Sequence, residues 1–72
     1  MSLVRLRLVG GPAGLDEHLR ERLVPVESID DHIRVQHLAG YEHFWYVTDE
    51  EPDGDGRRVR RYEWSYRTAV AE

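Results

Sequence analysis

The chain contains no cysteine and no lysine, and none of its apolar stretches is long. Without cysteine it has no disulfide and no thiolate ligand for a metal, and a cytoplasmic location is expected. Arg5 and Arg7 interrupt the apolar residues near the start, so neither a signal peptide nor a membrane span is predicted. A 72-residue chain forms one small domain with a small core, and oligomerisation or aromatic packing must then add stability.

Acidic residues outnumber basic ones by fourteen to ten, which gives a net charge of −4. Because binding to phosphates needs basic residues, this balance disfavours a general nucleic-acid-binding protein. The arginine-rich segment 57–61, which precedes Tyr62 and Trp64, leaves a nucleic-acid-binding regulator as one alternative.

Periodicity predicts an α+β fold with the element order β-α-β-β-β. Apolar and basic residues alternate over 3–9, as in a half-buried strand. Leu15, Leu19 and Leu23 recur at the spacing of one helical face, so a short helix is predicted over 15–23, before Pro25. Three more strands are predicted over 32–38, 41–48 and 57–68. The expected domain, residues 1–72, is a small mostly antiparallel sheet with one short helix on one face.

The hairpin between the second and third strands allows two registers. A three-residue loop over 38–40, with Gly40 in a left-handed conformation, pairs Val35 with His43. A two-residue Ala39-Gly40 turn pairs Val35 with Phe44 instead. We favour the first, and the choice decides which residues of the third strand join the core. The predicted core consists of the inward-facing residues Val4, Leu6, Leu8, Leu15, Leu19, Leu23, Ile33, Val35, Tyr62, Trp64 and Tyr66.

All seven aromatic residues lie between Tyr41 and Tyr66. One short helix covers only one face of a sheet, so we expect an uncovered aromatic patch on the other, and such patches mark a partner or ligand surface. The residues expected to bind there are Tyr41, His43, Trp45 and Tyr46, with Arg58 and Arg60 for an anionic group. A non-catalytic binding protein that forms a homodimer is the leading interpretation.

Histidines beside the hairpin supply a second, catalytic hypothesis. His37, Glu42 and His43 could perform the acid–base chemistry of a small isomerase or cyclase, although no nucleophile motif accompanies them. The same side chains could ligate Zn²⁺, but the two histidines need not share a face. The acidic segment 51–56 resembles a calcium loop in which Tyr62 replaces the bidentate glutamate. We therefore predict no metal and no cofactor.

Three stretches carry a family resemblance: Leu8-Val9-Gly10-Gly11-Pro12, Gly40-Tyr41-Glu42-His43-Phe44, and the residues from Trp64 to Glu72. With the lysine-free, arginine-rich composition, the chain resembles a family of short actinobacterial proteins of unknown function, often encoded beside genes for specialised metabolites. The resemblance covers nearly the whole chain and implies a cytoplasmic accessory protein of a biosynthetic pathway. Its partner would be a second copy, a biosynthetic protein or a small molecule. The resemblance assigns no catalytic residue.

Overall fold

The computed structural model describes residues 2–69 as one five-stranded mixed sheet with the strand order β2-β1-β5-β4-β3. Its strands are β1 (Leu3–Val9), β2 (Glu21–Pro25), β3 (His32–His37), β4 (Gly40–Glu50) and β5 (Val59–Ala69). Neighbouring strands are antiparallel except for the central pair β1 and β5, which is parallel. No helix in the described part of the chain is long and apolar enough to cross a membrane.

The predicted α+β class is wrong, because the described residues contain no α-helix. Their helical segments are two three-residue 3-10 turns, Glu17–Leu19 and Val26–Ser28. An isolated nine-residue helix is marginal in water, whereas the open edge of β1 offers a row of backbone partners. Glu21–Pro25 pairs with that edge as strand β2. Leu23 consequently lies opposite Arg5, with 45% of its surface exposed.

The core lies on one side of the sheet, where Leu15, Leu19 and Ile29 from the stretches on either side of β2 pack against the strands. The largest cluster of buried side chains there comprises Val4, Leu6, Leu8, Leu15, Ile33, Val35, Phe44 and Tyr62. Seven of these eight residues were predicted from the sequence, and Phe44 is the addition. We call this side the inner face. The outer face is the opposite side, which carries Arg7, Arg34, His43, Trp45 and Tyr66.

Both predicted hairpin registers are wrong by one residue or more. His37 pairs with Gly40 and Val35 pairs with Glu42, so the turn consists of Leu38 and Ala39 alone. Leu38, not Gly40, adopts the positive φ, at 54°. Gly40 is needed for a different reason: a Cβ at this position would lie 2.5 Å from the carbonyl oxygen of Thr68 on β5.

A β-bulge moves Tyr66 out of the predicted core. Phe44 pairs with Trp64, but His43 pairs with Tyr66, so Ser65 is an extra residue in β5. Because a bulge reverses the alternation of faces beyond it, Tyr66 points to the outer face and is 43% exposed. Trp64 stays on the inner face, past the end of the core, and is 39% exposed.

Candidate functional site

Four rings with nearly parallel planes cross strands β3, β4 and β5 on the outer face. Trp45 stacks on His32 with 4.4 Å between the ring centroids, His32 lies 4.9 Å from His43, and His43 lies 4.3 Å from Tyr66. Successive rings are inclined by no more than 17°. We call these four residues the aromatic ladder. Stacking across strands fixes the rings in place, which makes the ladder a rigid surface.

The histidines of the ladder are also hydrogen-bonded. His32 Nε2 lies 2.8 Å from His43 Nδ1, and His43 Nε2 lies 2.8 Å from the Thr68 hydroxyl. His43 is only 6% exposed. Burial lowers the pKa of His43 below its usual value of 6.5, and the nearby charges of His32 and Arg34 lower it further. The ladder therefore favours a neutral His43.

We expect acid to destabilise the fold through His43. The unfolded chain binds a proton near pH 6.5, whereas folded His43 binds one only at lower pH, so stability present above pH 6.5 is lost as the pH falls through and below it. The urea midpoint should fall between pH 7.5 and 5.5, and less steeply in His43→Gln. His18→Gln, which replaces an exposed histidine, should keep the wild-type dependence. A midpoint that rises on acidification would refute this.

A second cluster surrounds a buried carboxylate on the inner face. Glu42 is 1% exposed, and its Oε1 accepts a 2.8 Å hydrogen bond from Trp64 Nε1. Its Oε2 accepts from Arg67 Nη1 and, at 3.3 Å, from His37 Nδ1. We call these four residues the carboxylate cluster. Burial by itself raises the pKa of Glu42, but the hydrogen bonds from Trp64, Arg67 and His37 together leave it below its usual value.

The structure divides the predicted catalytic residues between the two faces. His37 and Glu42 meet in the carboxylate cluster, whereas His43 pairs with Arg34 on the outer face. The sheet thus separates His43 from the other two. Trp64 and Arg67 complete the cluster. Trp64 was predicted only as a core residue, and Arg67 was missed because the bulge at Ser65 conceals its face from a period-two pattern.

The predicted binding residues are divided in the same way. Tyr41 and Trp45 lie on the outer face with His43, and the Arg34 guanidinium lies 4.8 Å from the centre of the Tyr41 ring. Tyr46 instead lies on the inner side, where it packs against the core. The sequence therefore predicted some of the outer-face residues, but it did not predict that His32 and Tyr66 lie beside them.

The arginines predicted to contact an anionic group already have protein partners. Arg60 is 8% exposed, lies 3.9 Å from the centre of the Tyr46 ring and donates to Asp31 at 2.8 Å. Arg58 is exposed and pairs with Asp49 at 3.2 Å. The other two arginines of this segment pair with Asp55, Glu50 and Glu63. Such pairing offsets the positive charge that binding to nucleic acid needs.

A pocket opens beside the carboxylate cluster, between the turn after β1 and the β3–β4 hairpin. Its volume is about 510 Å³. We call it the Trp64 pocket, and it is lined by Gly11, Pro12, His37, Leu38, Glu42, Trp64 and Arg67. Across residues 2–69, no group of three or more histidine, aspartate or glutamate side chains is arranged to hold a metal ion.

Residues 2–72 match the sequence model of a protein family that is described as a family of unknown function. No curated protein and no solved structure matches the chain.

Proposed function

We propose that this chain, which belongs to the family of unknown function DUF5988, is a non-catalytic binding domain whose aromatic ladder binds a second copy of the chain. The ladder carries this proposal because its rings are stacked and yet accessible. Trp45 is 45% exposed and Tyr66 is 43% exposed. Rigid aromatic side chains bind at a low entropic cost, and they are enriched at the energetic centres of protein interfaces.

The charges beside the ladder favour a second copy over a strongly charged partner. On the outer face, Arg7 pairs with Glu50 at 2.6 Å, and Arg61 pairs with Glu63 at 3.0 Å. These charges occur as pairs of opposite sign, so this part of the surface can meet a second copy without net like-charge repulsion. The small size of the domain adds to the argument, because a dimer would bury an aromatic surface that the core leaves uncovered.

The family resemblance indicates a biological role for the proposed dimer. We propose that the dimer is an actinobacterial accessory protein of specialised-metabolite biosynthesis, acting by binding and not by catalysis. The separation of His43 from His37 and Glu42 supports the non-catalytic role, because the three predicted acid–base residues do not form one site.

Trp45→Ser tests the dimer. We expect the dissociation constant from sedimentation equilibrium to rise about 30-fold, since truncating an aromatic residue at an interface centre commonly costs 2 kcal/mol or more. Leu38→Ser is the matched control, because Leu38 is 81% exposed and lies at the hairpin tip, away from the ladder. A wild-type chain that stays monomeric at about millimolar concentration would refute the dimer, as would equal losses in both variants.

A further inference from the structure

We propose that the Trp64 pocket binds a small planar aromatic carboxylate. This inference goes beyond the proposed dimer, because the pocket lies on the inner side of the sheet and the aromatic ladder lies on the outer face. Its volume of about 510 Å³ falls within the usual range for small-molecule sites. The ligand class follows from the walls, the rigidity and the charge of the pocket.

The walls of the pocket are largely apolar and suit a flat ring. Trp64 is 39% exposed, so part of its indole surface faces the opening. Pro12 and Leu38 add apolar surface from the two loops that border it. Aromatic rings stack offset on such surfaces and gain more than their buried area alone provides.

The indole of Trp64 is held rigidly before any ligand arrives. Its Nε1–H donates to Glu42, and its edge is packed against the turn after β1. Gly11 makes that packing possible, because a Cβ there would lie 2.9 Å from Trp64 Cδ1. Gly11 also has a φ of +84°, which a larger residue rarely adopts. A fixed wall lowers the entropic cost of binding.

The guanidinium of Arg67 is the group in the pocket that can bind an anion. Arg67 neutralises the negative charge of Glu42 through Nη1, and 36% of the Arg67 side chain remains exposed. Within residues 2–69, Glu42 is the one group to which Arg67 donates a hydrogen bond. The remaining guanidinium N–H groups can therefore bind the two oxygens of a carboxylate, which match their spacing. The ring of the same ligand would lie along Trp64.

Two tryptophans on opposite faces give the test a built-in control. The chain contains two tryptophans, Trp45 and Trp64, so two indole N–H signals are expected in a ¹H–¹⁵N NMR spectrum. We would titrate the protein with 2-naphthoate and, separately, with the neutral analogue 2-naphthylmethanol. We expect 2-naphthoate to shift the Trp64 signal and to bind about tenfold more tightly than the alcohol, because only the carboxylate pairs with Arg67.

Two conservative variants identify the groups responsible. Arg67→Lys keeps a cation beside Glu42 but loses the fork of the guanidinium, so the preference for 2-naphthoate should largely disappear. Arg61→Lys makes the same change on the outer face of β5, where the arginine side chain is equally exposed, and should leave both affinities unchanged. The proposal is overturned if 2-naphthoate shifts only the Trp45 signal, if no indole signal moves at about millimolar ligand, or if both ligands bind equally. Sedimentation measures dimer formation separately from ligand binding, so the proposed dimer and the proposed ligand can each be refuted without the other.

Discussion

Replacing Arg67 with leucine should lower the free energy of unfolding by about 3 kcal/mol, because it leaves the Glu42 carboxylate buried without a cation. Glu42 is 1% exposed, so water cannot replace the lost guanidinium. His37 and Trp64 would still donate to it, which places the cost at the lower end of the range for unpaired buried charges. Urea unfolding at pH 7 measures the change.

The pH dependence separates this electrostatic cost from lost packing. In the wild type, the lowered pKa of Glu42 means that stability present above pH 4.5 is lost as the pH falls below that value. In Arg67→Leu, the carboxyl becomes easier to protonate, so the deficit should shrink between pH 7 and pH 4. A deficit that is constant over this range would contradict the assignment.

Arg61→Leu is the matched control for Arg67→Leu. Both arginines lie on β5, and both side chains are 36% exposed. The partners of Arg61 are Glu50 and Glu63, which are 21% and 48% exposed. Water can solvate those carboxylates after the substitution, so the stability should change little. The double variant Glu42→Leu with Arg67→Leu should regain most of the loss, because no buried charge remains.

Gly40→Ala should lower the free energy of unfolding by about 2–3 kcal/mol, a large effect for a single methyl group. The added Cβ would lie 2.5 Å from the carbonyl oxygen of Thr68 and 2.8 Å from Arg67 Nη2. Relief requires β4 and β5 to separate where they pair, because the nearest atom belongs to the backbone. Thermal and urea unfolding would both show the loss.

Gly54→Ala makes the same chemical change where the structure offers room. No described atom lies within 4 Å of a Cβ at Gly54, and its φ is not in the left-handed region. Restricting the unfolded chain should then leave stability unchanged or raise it by about 0.5 kcal/mol. If both alanine variants lose the same amount of stability, the close approach of β4 and β5 is not the reason why position 40 needs glycine.

The sequence was most informative where one local pattern had no competitor. The strict alternation of β1 placed Val4, Leu6 and Leu8 in the core, as the structure confirms. The spacing of the three leucines over 15–23 fitted a helix. Residues 21–25 form a strand instead because they pair with β1, and a local sequence pattern does not reveal a contact between separate segments.

The site was harder to predict because it depends on two exceptions to alternation. The two-residue turn at Leu38 and Ala39 sets the register of β4, and the bulge at Ser65 sets the faces of Tyr66 and Arg67. A one-residue error at either place moves every later side chain to the opposite face. The sequence could therefore supply the residue types of the aromatic ladder and the carboxylate cluster but not their grouping.

The parallel pairing of β1 with β5 has a consequence for how the chain acquires its structure. These strands occupy the middle of the sheet, yet β1 is the first of the five strands to be synthesised and β5 is the last. Until β5 emerges, the β1–β2 pair and the β3–β4 hairpin have no strand to join them, and the contact between Leu8 and Tyr62 cannot form. Closing so long a loop is entropically costly, so folding should be slow for a chain of this length and should follow the synthesis of β5.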